Sequence, residues 1–197
     1  MTERRHHRPM TPGGDFFEGM VGGTDPALVS EAADRAAALL VRGARQSDDA
    51  EVAERLVHLA DTEGIEAIAE VWSGAPADSL AGCLWRLYLL RSWVYADPVG
   101  VAREFEAGRV AQVARVVSGV ADPPGPEQLQ AMVDEVLTGI AGSDFADVLL
   151  RAAAFARVVA TGRAALASAP TVDVQRVLVL SEQLEAAGHI ELEVGLG

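Results

Sequence analysis

The stretch SLAGCLWRLYLLRSWVYA, at residues 79–96, holds two of the three Trp, both Tyr and the single Cys of this chain. Aromatic residues are sparse elsewhere. Because an aromatic side chain buries about 150–250 Å² of surface, this stretch offers a large contact area to neighbouring elements. We therefore expect the fold to be organised around it.

The same stretch is typical of one continuous helix. Ser79 is a favourable N-cap residue, and no Pro interrupts the run before Pro98. Arg86 and Arg91 near its middle would each cost about 2.5–3.5 kcal/mol in lipid, so a buried helix of a soluble protein is favoured over a membrane span. Two stripes of side chains recur at helical spacing: Trp85, Leu89 and Trp93 in the first, and Leu84, Tyr88, Arg91 and Tyr95 in the second.

Composition excludes several classes of function. The 197 residues carry a net charge of −13, which argues against binding to nucleic acid or to an anionic membrane. All 16 basic residues are Arg, so a Schiff-base Lys and a P-loop Lys are both ruled out. The single Cys excludes a disulfide framework within the chain. No segment near Met1 has the pattern of a secretion signal, so we expect a cytoplasmic protein.

Breaks at Pro and Gly divide the chain into segments. Residues 1–24 are rich in Pro, Gly and charge, which predicts a flexible, disordered tail. Residues 25–187 predict a single all-α domain of about eight to nine helices, in a compact orthogonal or HEAT-like array around residues 79–96. Gly108 is predicted to end one helix, and another is predicted over residues 109–120. Gly188 is predicted to end the last helix, leaving residues 188–197 as an extended C-terminal tail.

One group of residues is a candidate for metal chemistry. Glu54, His58 and Asp61 fall at i, i+4 and i+7, on one face of a predicted helix, and such side chains are possible ligands of a divalent ion. No second helix supplies matching ligands, so the favoured interpretation is a solvated face. We find no nucleophile elbow and no phosphate-binding loop. No catalytic residue, metal site or cofactor is therefore assigned.

Arg86 and Arg91 are the most informative polar residues, because a buried Arg needs a partner. In one interpretation they pair with core carboxylates and fix the helix register. In another, Arg91 lines a cleft that binds an acidic ligand, and in a third an aromatic stripe lies at a subunit interface. The carboxylates considered are Glu66, Glu70, Asp97 and Glu104; the candidate binding residues are Trp85, Arg86, Tyr88, Arg91, Trp93 and Tyr95.

A longer segment around the aromatic stretch, WSGAPADSLAGCLWRLYLLRSWVYADPVGVAREFEAGR at residues 72–109, resembles an uncharacterised all-helical protein family of high-GC bacteria. The resemblance implies an all-helical fold and a cytoplasmic setting. It brings no motif that identifies a site.

The sequence favours a non-enzymatic protein-interaction or regulatory module that self-associates as a homodimer or joins a larger assembly. The concentration of Trp, Tyr and Arg supports this hypothesis. The first alternative is a helical protein that binds an acidic small molecule in an Arg/Tyr-lined pocket. The second is a metal-assisted enzyme that uses Glu54, His58 and Asp61.

Overall fold

The chain is all-helical throughout the part that the structure describes, as the sequence predicts. This computed structural model describes residues 26–43, 69–111, 117, 120, 122–137 and 145–196, and no strand occurs among them. The predicted N-terminal tail and the count of eight to nine helices extend beyond these residues. The bounded helices are α1 (Pro26–Arg42), α2 (Leu80–Ala96), α3 (Pro98–Val110), α4 (Pro126–Leu137), α5 (Phe145–Ala165) and α6 (Thr171–Glu193).

The aromatic helix α2 has the ends that its sequence predicts. Before its first turn, the Ser79 hydroxyl accepts a hydrogen bond from the Gly82 N–H at 3.1 Å. At the other end Asp97 closes α2 and also caps α3, since its carboxylate accepts from the Gly100 N–H at 2.9 Å. Such side-chain caps satisfy N–H groups that have no partner within the helix.

The deepest helix among the described residues is α5 and not α2. Of the 21 residues of α5, 15 are buried, against eight of 17 in α2. Helix α5 contacts α2, α3, α4 and α6, while α1 packs on α2. The prediction that the aromatic helix lies at the centre is therefore not confirmed, because small residues, mainly Ala and Val, fill the most enclosed position.

Two glycines bring α3 and α5 unusually close together. A Cβ atom added at Gly162 would lie 1.7 Å from the Glu104 carbonyl oxygen, and one added at Gly108 would lie 1.9 Å from that of Val158. Gly108 therefore serves helix packing, and the prediction that it ends the helix is wrong: α3 continues to Val110.

The helix predicted over residues 109–120 is also wrong where the structure describes it. Ala111 is extended, with ψ of 139°, and Val117 is not helical. Val110 is 86% exposed, whereas Val117 is 3% exposed. Val117 and Val120 are therefore buried without belonging to a helix.

Helices α5 and α6 share polar contacts within their buried interface. Arg157 Nη2 donates to Glu185 at 2.8 Å, with both side chains about nine-tenths buried. The Ser181 hydroxyl donates to the Ala153 carbonyl at 2.9 Å. Among the described residues, Arg157 Nη1 is a buried nitrogen without a hydrogen-bond partner.

The prediction of an extended tail from residue 188 is wrong, because α6 runs to Glu193. Gly188 lies within the helix, where an added Cβ would be 2.9 Å from the Leu150 side chain. The helix ends where Gly195 adopts a φ of 79° and the Val194 and Gly195 N–H groups both donate to the Ile190 carbonyl. A glycine in this left-handed conformation is a common helix stop.

Candidate functional site

The first aromatic stripe of α2 lines an open groove between α2 and α6. Trp85, Leu89 and Trp93 recur at four-residue spacing, so they lie along one side of the helix. The groove has a volume of about 350 Å³, within the range of roughly 300–1,000 Å³ typical of ligand pockets. Its other lining residues are Arg86 and Leu90 from α2 and Arg176, Val177, Val179, Leu180 and Gln183 from α6.

Much of this groove is apolar surface that the described residues leave uncovered. Leu89 is 41% exposed and Val179 50% exposed, while Trp85 and Trp93 are half-buried. Trp85 also stacks on Tyr88, with ring centroids 5.6 Å apart. Exposed apolar side chains that cluster in a concave surface are typical of a binding site.

Arg86 supplies positive charge at the groove. Its Nε donates to the Gln183 side-chain oxygen and its Nη1 to the Gly82 carbonyl, both at 2.8 Å. Both acceptors are neutral. The prediction that Arg86 pairs with a core carboxylate is therefore wrong among the described residues, and its charge remains available to an acidic group in the groove.

A second cation, Arg176, lies on the α6 side of the groove. Its Nη1 is 3.0 Å from Asp173 one turn earlier, and its side chain is 75% exposed. An exposed pair of this kind contributes little to stability and is readily exchanged. Arg176 can therefore turn toward a carboxylate that enters the groove.

A cluster of charged and polar side chains packs against the Trp93 ring. The Arg163 guanidinium lies over its ring at 4.6 Å, and Arg163 Nε is bonded to both carboxylate oxygens of Glu104, at 3.0 and 3.1 Å. The Ser168 hydroxyl donates to the same carboxylate at 2.6 Å. Because Glu104 is only 7% exposed, this cluster fixes the orientation of Trp93 at the groove wall.

Arg91 and Tyr95 of the second stripe lie away from the groove. Arg91 forms an ion pair with Asp134 of α4, and its guanidinium lies 4.5 Å from the Tyr95 ring centre. The Tyr95 hydroxyl donates to Asp134 at 3.0 Å, and this hydrogen bond raises the pKa of Tyr95 above its ordinary value. Arg91 has a carboxylate partner, as one interpretation predicts, but the partner is none of those named.

The six predicted binding residues are thus divided between two surfaces. Trp85, Arg86 and Trp93 line the groove, and Tyr88 adjoins it through its stack on Trp85. Arg91 and Tyr95 belong to the contact with α4. Sequence reasoning missed Arg176, Leu180 and Gln183 of α6, although apolar and polar residues recur at helical spacing from Val172 to Gln183 in this segment.

Cys83 is a buried core thiol. Burial raises its pKa to about 12, and this effect outweighs the opposing charge of Arg86. Since the thiolate is the nucleophilic form, we expect Cys83 to react slowly at neutral pH. This agrees with its place on the apolar face of α2.

A second cavity, of about 460 Å³, lies near the junction of α2 and α3 with the start of α4. Its lining mixes acids such as Glu106 and Glu127 with Arg109, Phe105 and the Pro-rich turn before α4. No single ligand chemistry follows from this mixture.

The metal hypothesis on Glu54, His58 and Asp61 falls outside the described residues. Within the described ranges, no group of three His, Cys, Asp or Glu side chains is arranged to hold a metal ion. None of the helices described is both long and apolar enough to span a bilayer.

Comparisons of this chain with protein-family models, with curated proteins and with solved structures find no match. The resemblance of residues 72–109 to a bacterial family therefore stays a prediction.

Proposed function

We propose that this chain is a non-enzymatic protein-interaction module of the cytoplasm, and that the groove between α2 and α6 is its docking surface. The observation that carries the proposal is the row of Trp85, Leu89 and Trp93 along an open groove. Trp and Arg are the residue types most enriched where binding energy concentrates in protein interfaces. Here Arg86 lines the same groove as two such Trp residues.

Charge complementarity favours an acidic, apolar partner segment in this groove. Arg86 has only neutral acceptors among the described residues, and Arg176 is largely exposed. These two cations are opposite in sign to the net charge of the chain, which is −13. The volume of about 350 Å³ accommodates a few anchoring side chains, not a whole helix. The favoured occupant therefore inserts one or two aromatic or aliphatic residues, with a carboxylate on either side.

The experiment measures binding of a fluorescently labelled peptide to the full chain by anisotropy. The probe is a 16-residue designed peptide with a central Phe–Leu pair as anchors, Glu on either side of this pair, and Ser or Gly at the remaining positions. Leu89→Glu places a charge in the groove and is expected to weaken binding about tenfold or more, as loss of an interface hot spot does. Equal affinity of Leu89→Glu and the wild type would exclude the groove as the docking surface.

Leu192→Glu is the matched control. Leu192 is also an exposed helical leucine, 58% exposed, and it does not line the groove. The substitution makes the same change in volume and charge, so it is expected to leave the affinity unchanged. A similar loss in both variants would mean that the effect comes from net charge and not from the groove.

Self-association is tested on the same variants by light scattering over a range of concentrations. A dimer that Leu89→Glu dissociates and Leu192→Glu preserves would make a second copy of this chain the occupant. If the wild type and both variants are monomers, the proposed partner is a different protein.

A small acidic ligand beside Arg86 is the second candidate, favoured by the neutral acceptors of this guanidinium. Arg86→Gln separates the two. A small acid depends on this one charge and would lose its binding, whereas a peptide anchored by apolar side chains would retain most of its affinity. Titration of Trp fluorescence with short dicarboxylic acids measures binding of a small acid. Fluorescence anisotropy measures binding of the peptide.

A further inference from the structure

We infer that the groove between α2 and α6 is occupied in the free protein by the chain's own segment DFFE, at residues 15–18. This inference rests on the proposed docking role of the groove. It adds that the module carries a built-in competitor for its partner.

The phenylalanines of this chain fall into two groups. The chain has five, and three of them, Phe105, Phe145 and Phe155, are buried in the core. The other two are adjacent, at positions 16 and 17, in a stretch otherwise dominated by Pro, Gly and charge. Two neighbouring aromatic residues make a compact apolar anchor, because each buries about 150–250 Å² when it is covered.

The residues on either side of this pair match the groove in charge. Asp15 precedes the two phenylalanines and Glu18 follows them. The groove offers an apolar wall of Trp and Leu, with Arg86 contributed by α2 and Arg176 by α6. A pair of aromatic anchors between two carboxylates is thus the complement of an apolar groove that carries one cation on each helix.

The length of chain is sufficient for this contact. Eight residues, 18–25, separate Phe17 from Pro26 at the start of α1, and an extended chain of that length covers about 27 Å. Helix α1 packs on α2, the helix that forms one wall of the groove. A helix of 17 residues such as α2 is about 25 Å long, so the linker is comparable in length to this helix.

Connection within one chain makes even a weak contact effective. A short linker gives a tethered segment an effective concentration on the order of millimolar. A partner must displace the segment before it binds, so its apparent affinity is reduced by the fraction of molecules in which the groove is open. Removal of the two phenylalanines is therefore expected to raise partner affinity.

The test uses the full chain with Phe16→Ser and Phe17→Ser together, and quenching of Trp fluorescence by acrylamide. Trp72 is fully buried, so changes in quenching report on Trp85 and Trp93. The double variant is expected to be quenched more strongly than the wild type, with red-shifted emission. A peptide of residues 8–22 added to the double variant is expected to reverse both changes. Met10→Ser with Met20→Ser is the matched control, and we expect it to behave as the wild type.

Anisotropy with the designed acidic peptide distinguishes this inference from the proposed function. The phenylalanine double variant is expected to bind that probe about tenfold more tightly than the wild type, as for loss of a tethered competitor. If the probe binds both proteins equally through Leu89, the groove is a docking surface but residues 15–18 do not occupy it, and the inference is overturned. If quenching changes as expected but no probe binds, the groove serves the chain's own segment and the proposed function fails. A dimer that the phenylalanine substitutions dissociate would overturn occupation within one chain.

Discussion

Helices α2 and α5 differ in where their large and small side chains lie. In α2, the half-buried Trp85 and Trp93 form a groove wall at the surface. In α5, alanines and valines fill the most enclosed position, and Phe155 is its one fully buried aromatic residue. Small residues let neighbouring helices approach closely and bury a helix on most sides. Among the described helices, therefore, small residues mark the most enclosed helix, and the aromatic stripe marks the candidate interface.

The largest effect on stability is expected for substitution of Phe155, and Trp85 provides the comparison. Phe155→Ala removes a fully buried ring that stacks on Phe105 at 5.5 Å, and we expect it to lower the free energy of unfolding by about 3–5 kcal/mol. Trp85→Ala removes a larger ring from a half-buried surface, and we expect a cost of about 1 kcal/mol. Urea denaturation of both variants measures the difference. Equal costs would show that α2 is as much a part of the core as α5.

The next effect concerns the close approach of α3 and α5. Gly162→Ala places a Cβ against the Glu104 carbonyl oxygen, and the backbone must shift to admit it. Although Ala is the better helix former, we expect a net loss of about 1–3 kcal/mol, as for overpacking. Gly74→Ala is the control, because nothing lies within 4 Å of its added Cβ. If Gly162→Ala were as stable as the wild type, the two helices would be further apart than described.

A smaller effect is expected at alkaline pH from Cys83. Its pKa is raised to about 12 in the folded chain, from an ordinary value of 9.0. The folded state therefore holds the proton more tightly. This contribution is complete below the unfolded pKa and declines as pH rises above it, by at most about 1.4 kcal/mol per pH unit.

Urea midpoints measured between pH 8 and 10.5 test this decline. Cys83→Ala is expected to flatten the pH dependence, whatever its effect on stability at pH 7. An unchanged slope would assign the alkaline loss to other groups. Labelling with a thiol reagent gives a second check, since Cys83 is expected to react only after unfolding.

The smallest effect belongs to the contact between α2 and α4. Asp134→Asn removes the carboxylate that accepts from the Tyr95 hydroxyl, so the pKa of Tyr95 is expected to fall toward its ordinary value. Absorbance of tyrosinate near 295 nm follows the titration, and Tyr95→Phe identifies which of the two tyrosines is observed. Because Tyr95 is half exposed, we expect little change in stability. A titration identical to that of the wild type would show that this hydrogen bond is absent in solution.

Local signals predicted the two ends of α2 correctly. Ser79, Asp97 and Pro98 act through the backbone next to them, so their effect can be read from a few residues of sequence. The all-helical class follows in the same way from periodicity and from the spacing of Pro and Gly.

The errors come from contacts between distant parts of the chain. Gly108 and Gly188 resemble helix stops in sequence, but each lies where a neighbouring helix leaves no room for a side chain. The partner of Arg91, Asp134, is 43 positions away, and no local pattern connects them. Helix α6 forms the second wall of the groove. The aromatic content of α2 alone does not indicate which helix packs beside it.

The pair of Arg157 and Glu185 restricts how α5 and α6 can separate. Sliding one helix by a turn moves the charges apart by about 5.4 Å and leaves a guanidinium buried without a counter-charge, at high cost. Intermediate registers of α5 and α6 are therefore unfavourable, and we expect the two helices to unfold together. Their amide hydrogens are accordingly expected to exchange with deuterium as one cooperative unit, more slowly than those of α1.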